Sequence, residues 1–267
     1  MTDAVFSASF EIRVYETDHL ARLTPVTLFN YLQETATRHV AARGSSMAEL
    51  AARGLAWFLT DFRLSLARYP RRGEVVTVKT WGRRLKGLFA HREFEIIVGG
   101  GSPCGVATSR WVVVDLARRR LVRLDPALPA GFPTHPAAAL EEAFEDLPEP
   151  ARADFSRTFH VRLSDLDPNQ HANSASYFDW LIEATPPATQ AALAPLDMRI
   201  AYRREARAGA VVEVQSQAIE ARAVRRSAAP GPRPEQVFLH AVRLKSDAAV
   251  LALGRTVWGR EEPPGRV

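Results

Sequence analysis

The feature that most constrains this chain is that it repeats itself. Displaced by 149 positions, Phe10-Glu-Ile-Arg-Val14 lies on Phe159-His-Val-Arg-Leu163, Asp18 on Asp167, and Phe29 on Phe178. The same displacement puts Tyr31-Leu-Gln-Glu34 on Trp180-Leu-Ile-Glu183. Further on it becomes 136, which sets Arg63 on Arg199 and RGEVVTV (Arg72 to Val78) on AGAVVEV (Ala208 to Val214). Matches in the same order mark two copies of one structural unit. The second copy is shorter by 149 − 136 = 13 residues, about the length of SSMAELAARG, which reads as an extra short helix of the first copy. At 267 residues the chain has room for two domains of ordinary size.

Each copy starts with a strand pattern, FEIRVYE or FHVRLSD, and continues into a helix pattern. In the first, Thr24 is a good N-cap, Pro25 suits the first helical turn, and Gly44 can end the helix in a left-handed conformation. Val26, Phe29, Leu32, Ala36 and Val40 recur between them at helical spacing. In the second, Asn173 is the matching cap, Tyr177, Trp180, Leu181 and Ala184 form the apolar stripe, and Pro186-Pro187 limits the helix. Strand patterns follow in both: WFLTDFRLSL, VVTVKTW, AHREFEIIV, GVATSRWVVVD and RRLVRL, then MRIAYRRE, AVVEVQSQAI, VFLHAVRLKS and VLALGRTVWG. GGGSPCG (Gly99 to Gly105) reads as a hairpin turn; no helix follows it, so it is neither a dinucleotide fingerprint nor a P-loop. SAAPGPRPE (Ser227 to Glu235) reads as a loop. One central helix wrapped by a long antiparallel sheet, present twice, predicts an α+β tandem (double) hotdog. The expected organisation is an N-terminal hotdog over 1–124, a Pro/Ala-rich linker over 125–152 and a C-terminal hotdog over 153–260.

Composition narrows the function classes. A 46% hydrophobic and 24% charged chain is that of a globular protein, and no apolar run approaches the roughly 20 residues that span a bilayer. The start, MTDAVFSASFEIRVYETD, lacks the basic and apolar stretches of a signal peptide. A single cysteine, Cys104, excludes an internal disulfide framework, and no HxxxH or HExxH spacing occurs, so neither a metal nor a cofactor is expected. A cytoplasmic protein is the simplest expectation. The net charge of +5 rests on arginine, with only Lys79, Lys86 and Lys245 as lysines, and the arginines are scattered. Without a basic helix or interleaved aromatics, nucleic acid is not the expected partner. An acidic carrier or an anionic cofactor tail is compatible with the charge.

The most concentrated polar run is DLDPNQHANS (Asp165 to Ser174), at the boundary between strand and helix. Asp, Asn and Pro are ordinary turn formers, a lone His171 is more often structural than catalytic, and Glu205 within RREAR reads by itself as a solvated charge. NYLQETATRHV, WFLTDFRLSLARYPRRGEVVTVKTW, SDLDPNQHANSASYFDWLIEATP and YRREA together change that reading. Over almost the whole chain, from about Phe10 to Trp258, they resemble the acyl-acyl carrier protein thioesterases, the plant fatty-acid-terminating enzymes and their bacterial relatives.

The resemblance implies hydrolysis of a fatty acyl thioester carried on acyl carrier protein. It implies a catalytic constellation of Asp167, Asn169 and His171 (the DxNxH motif) with Glu205 of the YRRE motif. Plant members typically carry a cysteine after that glutamate; here the position is Ala206. A thiolate mechanism there is therefore excluded, and attack by water is expected. A thiol of pKa about 8.5 leaves readily, so the demanding steps are water delivery and oxyanion stabilisation, the latter suited to amides at the helix start near Asn173. Glu205 or Asp167 is the expected base, with Asn169 and His171 orienting water or carbonyl. The first copy retains only Asp18: Leu20, Arg22 and Tyr69 stand where Asn169, His171 and Glu205 would be, so one site per chain is expected. Met47, Trp57 and Phe58 are candidates for an acyl pocket or for plain core. Acyl-coenzyme A hydrolysis and non-catalytic acyl binding are the alternative readings, and a monomer and a homodimer are both compatible.

Overall fold

The computed structural model describes residues 4–101, 103–128, 132–141, 144–220 and 235–262. The loop expected over Ser227 to Glu235 lies outside them, apart from Glu235. The chain divides into two compact units, Met1–Phe62 with Tyr69–Glu142, and Arg63–Arg68 with Ala143–Val267.

The first unit is built from β1 (Val5–Glu11), the helices α1 (Pro25–Ala41) and α2 (Met47–Ala51), then β2 (Leu55–Leu66, whose last residues from Arg63 count with the second unit), β3 (Val75–Lys86), β4 (Phe89–Val98), β5 (Pro103–Asp115), β6 (Arg120–Val122) and α3 (Leu124–Ala127). The second contains β7 (Phe155–His160), α4 (Ser174–Glu183), α5 (Pro187–Ala192), β8 (Ala194–Tyr202), β9 (Val211–Ile219), β10 (Gln236–Leu244) and β11 (Val250–Gly259). Strand order in the first is β1-β3-β4-β5-β2 and in the second β7-β9-β10-β11-β8, the same order twice, with antiparallel pairing. The repeat is thus realised as two hotdog units.

The helix caps expected from the sequence form. Thr24 Oγ1 accepts the Thr27 N–H at 3.2 Å and Asn173 Oδ1 accepts the Ala175 N–H at 3.0 Å. Gly44 takes a φ of 67°, where a side chain would be strained. The buried residues of α1 are Leu28, Phe29, Tyr31, Leu32, Thr35, Ala36 and His39, whereas Val26 and Val40 are only half-buried. Phe29 packs on Phe62 of β2 with ring centroids 4.6 Å apart. In the second unit, α4 lies so close to β11 that a Cβ built on Gly254 would stand 2.4 Å from Leu181 Cδ1, so only glycine fits there.

Several boundaries differ from expectation for identifiable reasons. The first strand of each unit ends early, at Glu11 and His160, because a 3-10 turn follows (Val14–Glu16 and Leu163–Asp165). Its carboxylate closes the turn: Glu16 accepts the Arg13 N–H at 2.7 Å and Asp165 the Arg162 N–H at 2.8 Å. The strand expected to run to Glu205 stops at Tyr202, because the N–H groups of Arg203 and Arg204 both turn to the Leu251 carbonyl. Cys104 belongs to β5 and is buried, outside the glycine turn. Seven of the 13 residues missing from the second copy come from its main helix, 10 residues in α4 against 17 in α1, while both units keep a short second helix.

The described parts of the 125–152 segment are packed. In the first unit the Trp81 Nε1–H donates to the Ala137 carbonyl, the His135 N–H to Gly82, and the Ala139 N–H to Glu93 Oε2. In the second unit Leu147 packs with Ala201, Ala241 and Leu253. Strands such as β8 and β10 are consequently buried along nearly their whole length, instead of alternating as a one-faced antiparallel sheet would. Glu93, fully buried, makes an ion pair with Arg83 at 2.9 Å and accepts from Thr108 Oγ1 at 3.0 Å. Burial raises its carboxyl above the ordinary value, with Arg83 opposing. Glu93→Ala strands the Arg83 guanidinium and the Ala139 N–H together, and urea unfolding should show a loss of about 3 kcal/mol or more. Glu93→Gln, which fills the same space and keeps one acceptor oxygen, should lose less.

Candidate active site

The DxNxH run forms one tight loop leading from the 3-10 turn into α4. Asp167 Oδ1 accepts the N–H groups of Asn169 at 2.9 Å and His171 at 3.2 Å, while the Asp167 N–H donates to the His171 carbonyl at 2.8 Å. Gln170 sits at the apex with a φ of 64°. Single bridges Leu166–Ala172 and His171–Arg207 seat the loop, the second against the segment that leaves β8. The Asn173 N–H donates to the Asp165 carbonyl at 2.7 Å, fixing the start of α4.

The seating brings His171 and Glu205 together. His171 Nδ1 lies 3.2 Å from Glu205 Oε2, with the side chains 21% and 44% exposed. This pair faces solvent, unlike the core histidines His39 and His240, which burial pushes down to about 4 and about 3 and which are neutral. Asn169 is exposed at the rim, its Nδ2 at 3.4 Å from Asp167 Oδ2. Asn173 takes the Ala175 N–H, which leaves the Ser174 N–H at the helix start without an acceptor among the described residues. Ala206 is 1% exposed; its N–H donates to the Tyr177 hydroxyl at 3.2 Å and its carbonyl accepts the Ala172 N–H at 2.8 Å. Tyr177 is the residue that sequence reasoning assigned only to the helix core. Its aromatic character fits the apolar stripe, and nothing local distinguishes a hydroxyl that reaches across to another segment. Of the pocket candidates, Met47 is 53% exposed and Trp57 packs against the cluster of Leu50, Leu55, Ala90, Val113 and Leu124.

The first copy supplies an internal comparison. Asp18 Oδ1 accepts the N–H groups of Leu20 and Arg22, both at 2.9 Å, and Ala21 occupies the apex with a φ of 59°. The bridges Thr17–Leu23 and Arg22–Arg71 repeat those of the second copy. Asp167 thus makes the same loop hydrogen bonds that Asp18 makes in the copy where Arg22 replaces His171. At the position of the His171–Glu205 pair stands Arg22 over the ring of Tyr69, 5.7 Å from the centroid.

These features define a double-hotdog protein with, among the described residues, one solvent-facing histidine–glutamate pair beside a helix start, in its second unit. The chain belongs to the acyl-ACP thioesterase family: residues 3–132 match the acyl-ACP thioesterase N-terminal domain and residues 148–259 the C-terminal domain. An acyl-[acyl-carrier-protein] hydrolase of Cuphea viscosissima, a chloroplastic protein, is 30% identical over 95% of this chain and 62% of its own length. The palmitoyl-acyl carrier protein thioesterase of Arabidopsis thaliana, also chloroplastic, is 29% identical over 97% of this chain and 65% of its own. The chain therefore spans somewhat under two thirds of these curated relatives. The crystal structure of a protein assigned as an oleoyl thioesterase from Lactobacillus plantarum covers 98% of both chains at a TM-score of 0.81 and 26% identity. The 12:0-ACP thioesterase of Umbellularia californica shares the fold at a TM-score of 0.77 and 23% identity.

Burial alone would raise the Asp18 carboxyl, but the N–H groups of Arg22 and Leu20 and the Arg22 guanidinium outweigh it and hold it below its ordinary value. A lowered folded-state value means a contribution that is full above the ordinary carboxylate value and is lost as the pH falls through the lowered one. Asp18→Asn should therefore flatten the acid limb of a stability-against-pH curve below about pH 4 and cost about 1 kcal/mol at neutrality. Asp167→Asn should add a loss of activity, because its loop carries His171.

Proposed function

We propose that the chain hydrolyses the thioester of a fatty acyl group carried on acyl carrier protein, releasing the free fatty acid as part of fatty-acid synthesis. The observation that carries the reading is the His171–Glu205 pair at 3.2 Å, set by the family's two motifs at the start of a helix. The acyl-ACP activities named for the relatives support the carrier. A cytoplasmic location accords with a single, buried cysteine.

A neutral imidazole that donates its Nδ1–H to Glu205 presents the lone pair of Nε2 to solvent. A water held there loses its proton to Nε2 as its oxygen attacks the thioester carbonyl, and Glu205 offsets the imidazolium charge that forms. Glu205 rather than Asp167 is then the working carboxylate, because one Asp167 oxygen is occupied by two loop amides. The Ser174 N–H and the Asn169 side-chain amide are donors for the developing oxyanion. Collapse of the tetrahedral species breaks the C–S bond, and the proton on His171 passes to the departing thiolate. The protein needs no thiolate of its own: position 206 is a buried alanine and Cys104 is buried in β5.

Free-thiol release should be measured on parallel panels of acyl-ACP and acyl-coenzyme A thioesters of graded chain length. Turnover should favour the carrier-protein series and survive iodoacetamide. His171→Ala should reduce kcat by about 10²-fold or more, and Glu205→Gln by a smaller factor. Turnover confined to coenzyme A esters would overturn the carrier assignment. Binding of acyl ligands with no release on either carrier would overturn the hydrolase.

A further inference from the structure

We infer that Tyr177 is a positioning residue for this reaction: its hydroxyl clamps the two peptide groups that flank Glu205 and so holds that carboxylate against His171. The inference rests on the hydrolase reading above and adds a residue that the DxNxH and YRRE motifs do not include. Tyr177 lies on α4, buried between Trp180 and Tyr202, with ring centroids at 4.8 and 5.4 Å. Its hydroxyl donates to the Arg204 carbonyl at 3.3 Å and accepts the Ala206 N–H at 3.2 Å. One oxygen thus ties both sides of Glu205 to the helix whose entry loop carries His171. Glu205 itself sits in irregular chain after β8, where no sheet ladder restrains it. Burial pushes the Tyr177 hydroxyl up to about 12, so it keeps the proton it donates.

The first copy shows that this clamp is not part of the scaffold. At the positions of Tyr177 and Ala206 it has Leu28, which has no hydroxyl, and Pro70, which has no N–H. The Leu23 N–H still donates to the Pro70 carbonyl at 2.8 Å, as the Ala172 N–H does to Ala206, so the backbone framework survives without the clamp. Hydroxyl, N–H, glutamate and histidine are present together in one copy and absent together from the other. A residue needed only for packing would not follow that pattern.

Tyr177→Phe removes one oxygen and keeps the ring. Thr185→Val is the control: it removes the Thr185 Oγ1 bond to the Leu181 carbonyl, another buried hydrogen bond of the same helix region, remote in sequence from Glu205. Both variants are assayed on acyl-ACP, with kcat and KM taken separately, and with the ring ¹⁵N resonances of His171 recorded in the intact chain. Tyr177→Phe should lower kcat by about 10- to 100-fold with KM little changed. It should also move the His171 resonances towards those of Glu205→Gln. Thr185→Val should leave kcat and the resonances as in the parent. Unchanged kcat and resonances in Tyr177→Phe would overturn the clamp, as would equal losses in both variants, which would mark a general loss of stability. If the parent protein turns over no thioester, the resonances still decide the clamp, and only the hydrolase reading fails.

Discussion

In each half of this molecule a single carboxylate oxygen accepts two backbone N–H groups of its own loop, and the rest of the architecture hangs on that turn. Asp18 and Asp167 each gather the amides two and four residues ahead. The turn needs a residue of positive φ at its apex, supplied by Ala21 and Gln170. A non-glycine residue there is uncommon, so the strain must be offset by the surrounding hydrogen bonds. The reward is a rigid corner that delivers the chain to the N-cap of the long helix and fixes the residue just before it.

What that fixed residue does differs between the halves. In the first, Arg22 closes on its own aspartate at 2.8 Å and lies over the Tyr69 ring. In the second, His171 meets a carboxylate from another segment, Glu205, through its Nδ1. The backbone device is thus common to both copies, whereas the histidine–glutamate pair belongs to the second. The surrounding contacts follow suit, since a proline and a leucine in one half become an N–H donor and a hydroxyl acceptor in the other.

Unlike the outer strands β1 and β7, inner strands such as β8 and β10 have both faces covered. The central helix covers one, and the described parts of the Pro/Ala-rich segment pack on strand residues such as Trp81, Glu93 and Ala201. A segment whose composition reads as spacer is in fact wall. It can be so because backbone carbonyls and N–H groups, present whatever the side chain, satisfy Trp81 and Glu93, while Leu140, Phe144 and Leu147 supply apolar contact. Composition alone does not reveal this, since alanine and proline offer no pattern to read.

The sequence by itself determined the duplicated unit, the helix starts at Thr24 and Asn173, the strands rich in β-branched residues and the family. Each is written in short-range spacing or in a self-comparison that needs no coordinates. It also determined which residues to watch, including the loss of Asn169, His171 and Glu205 equivalents from the first copy. It misplaced the ends of the first strands and of the one before Glu205, because hydrogen bonds to side-chain carboxylates and to Leu251 override a continuing strand pattern there. Only the tertiary structure separated the two carboxylates, committing Asp167 to its loop and Glu205 to His171. Only it joined Tyr177 to the site. Those decisions depend on which atoms meet across 29 to 34 positions of chain, as from Ala206 back to Tyr177 or from Glu205 back to His171, and no local spacing records the direction in which a side chain points.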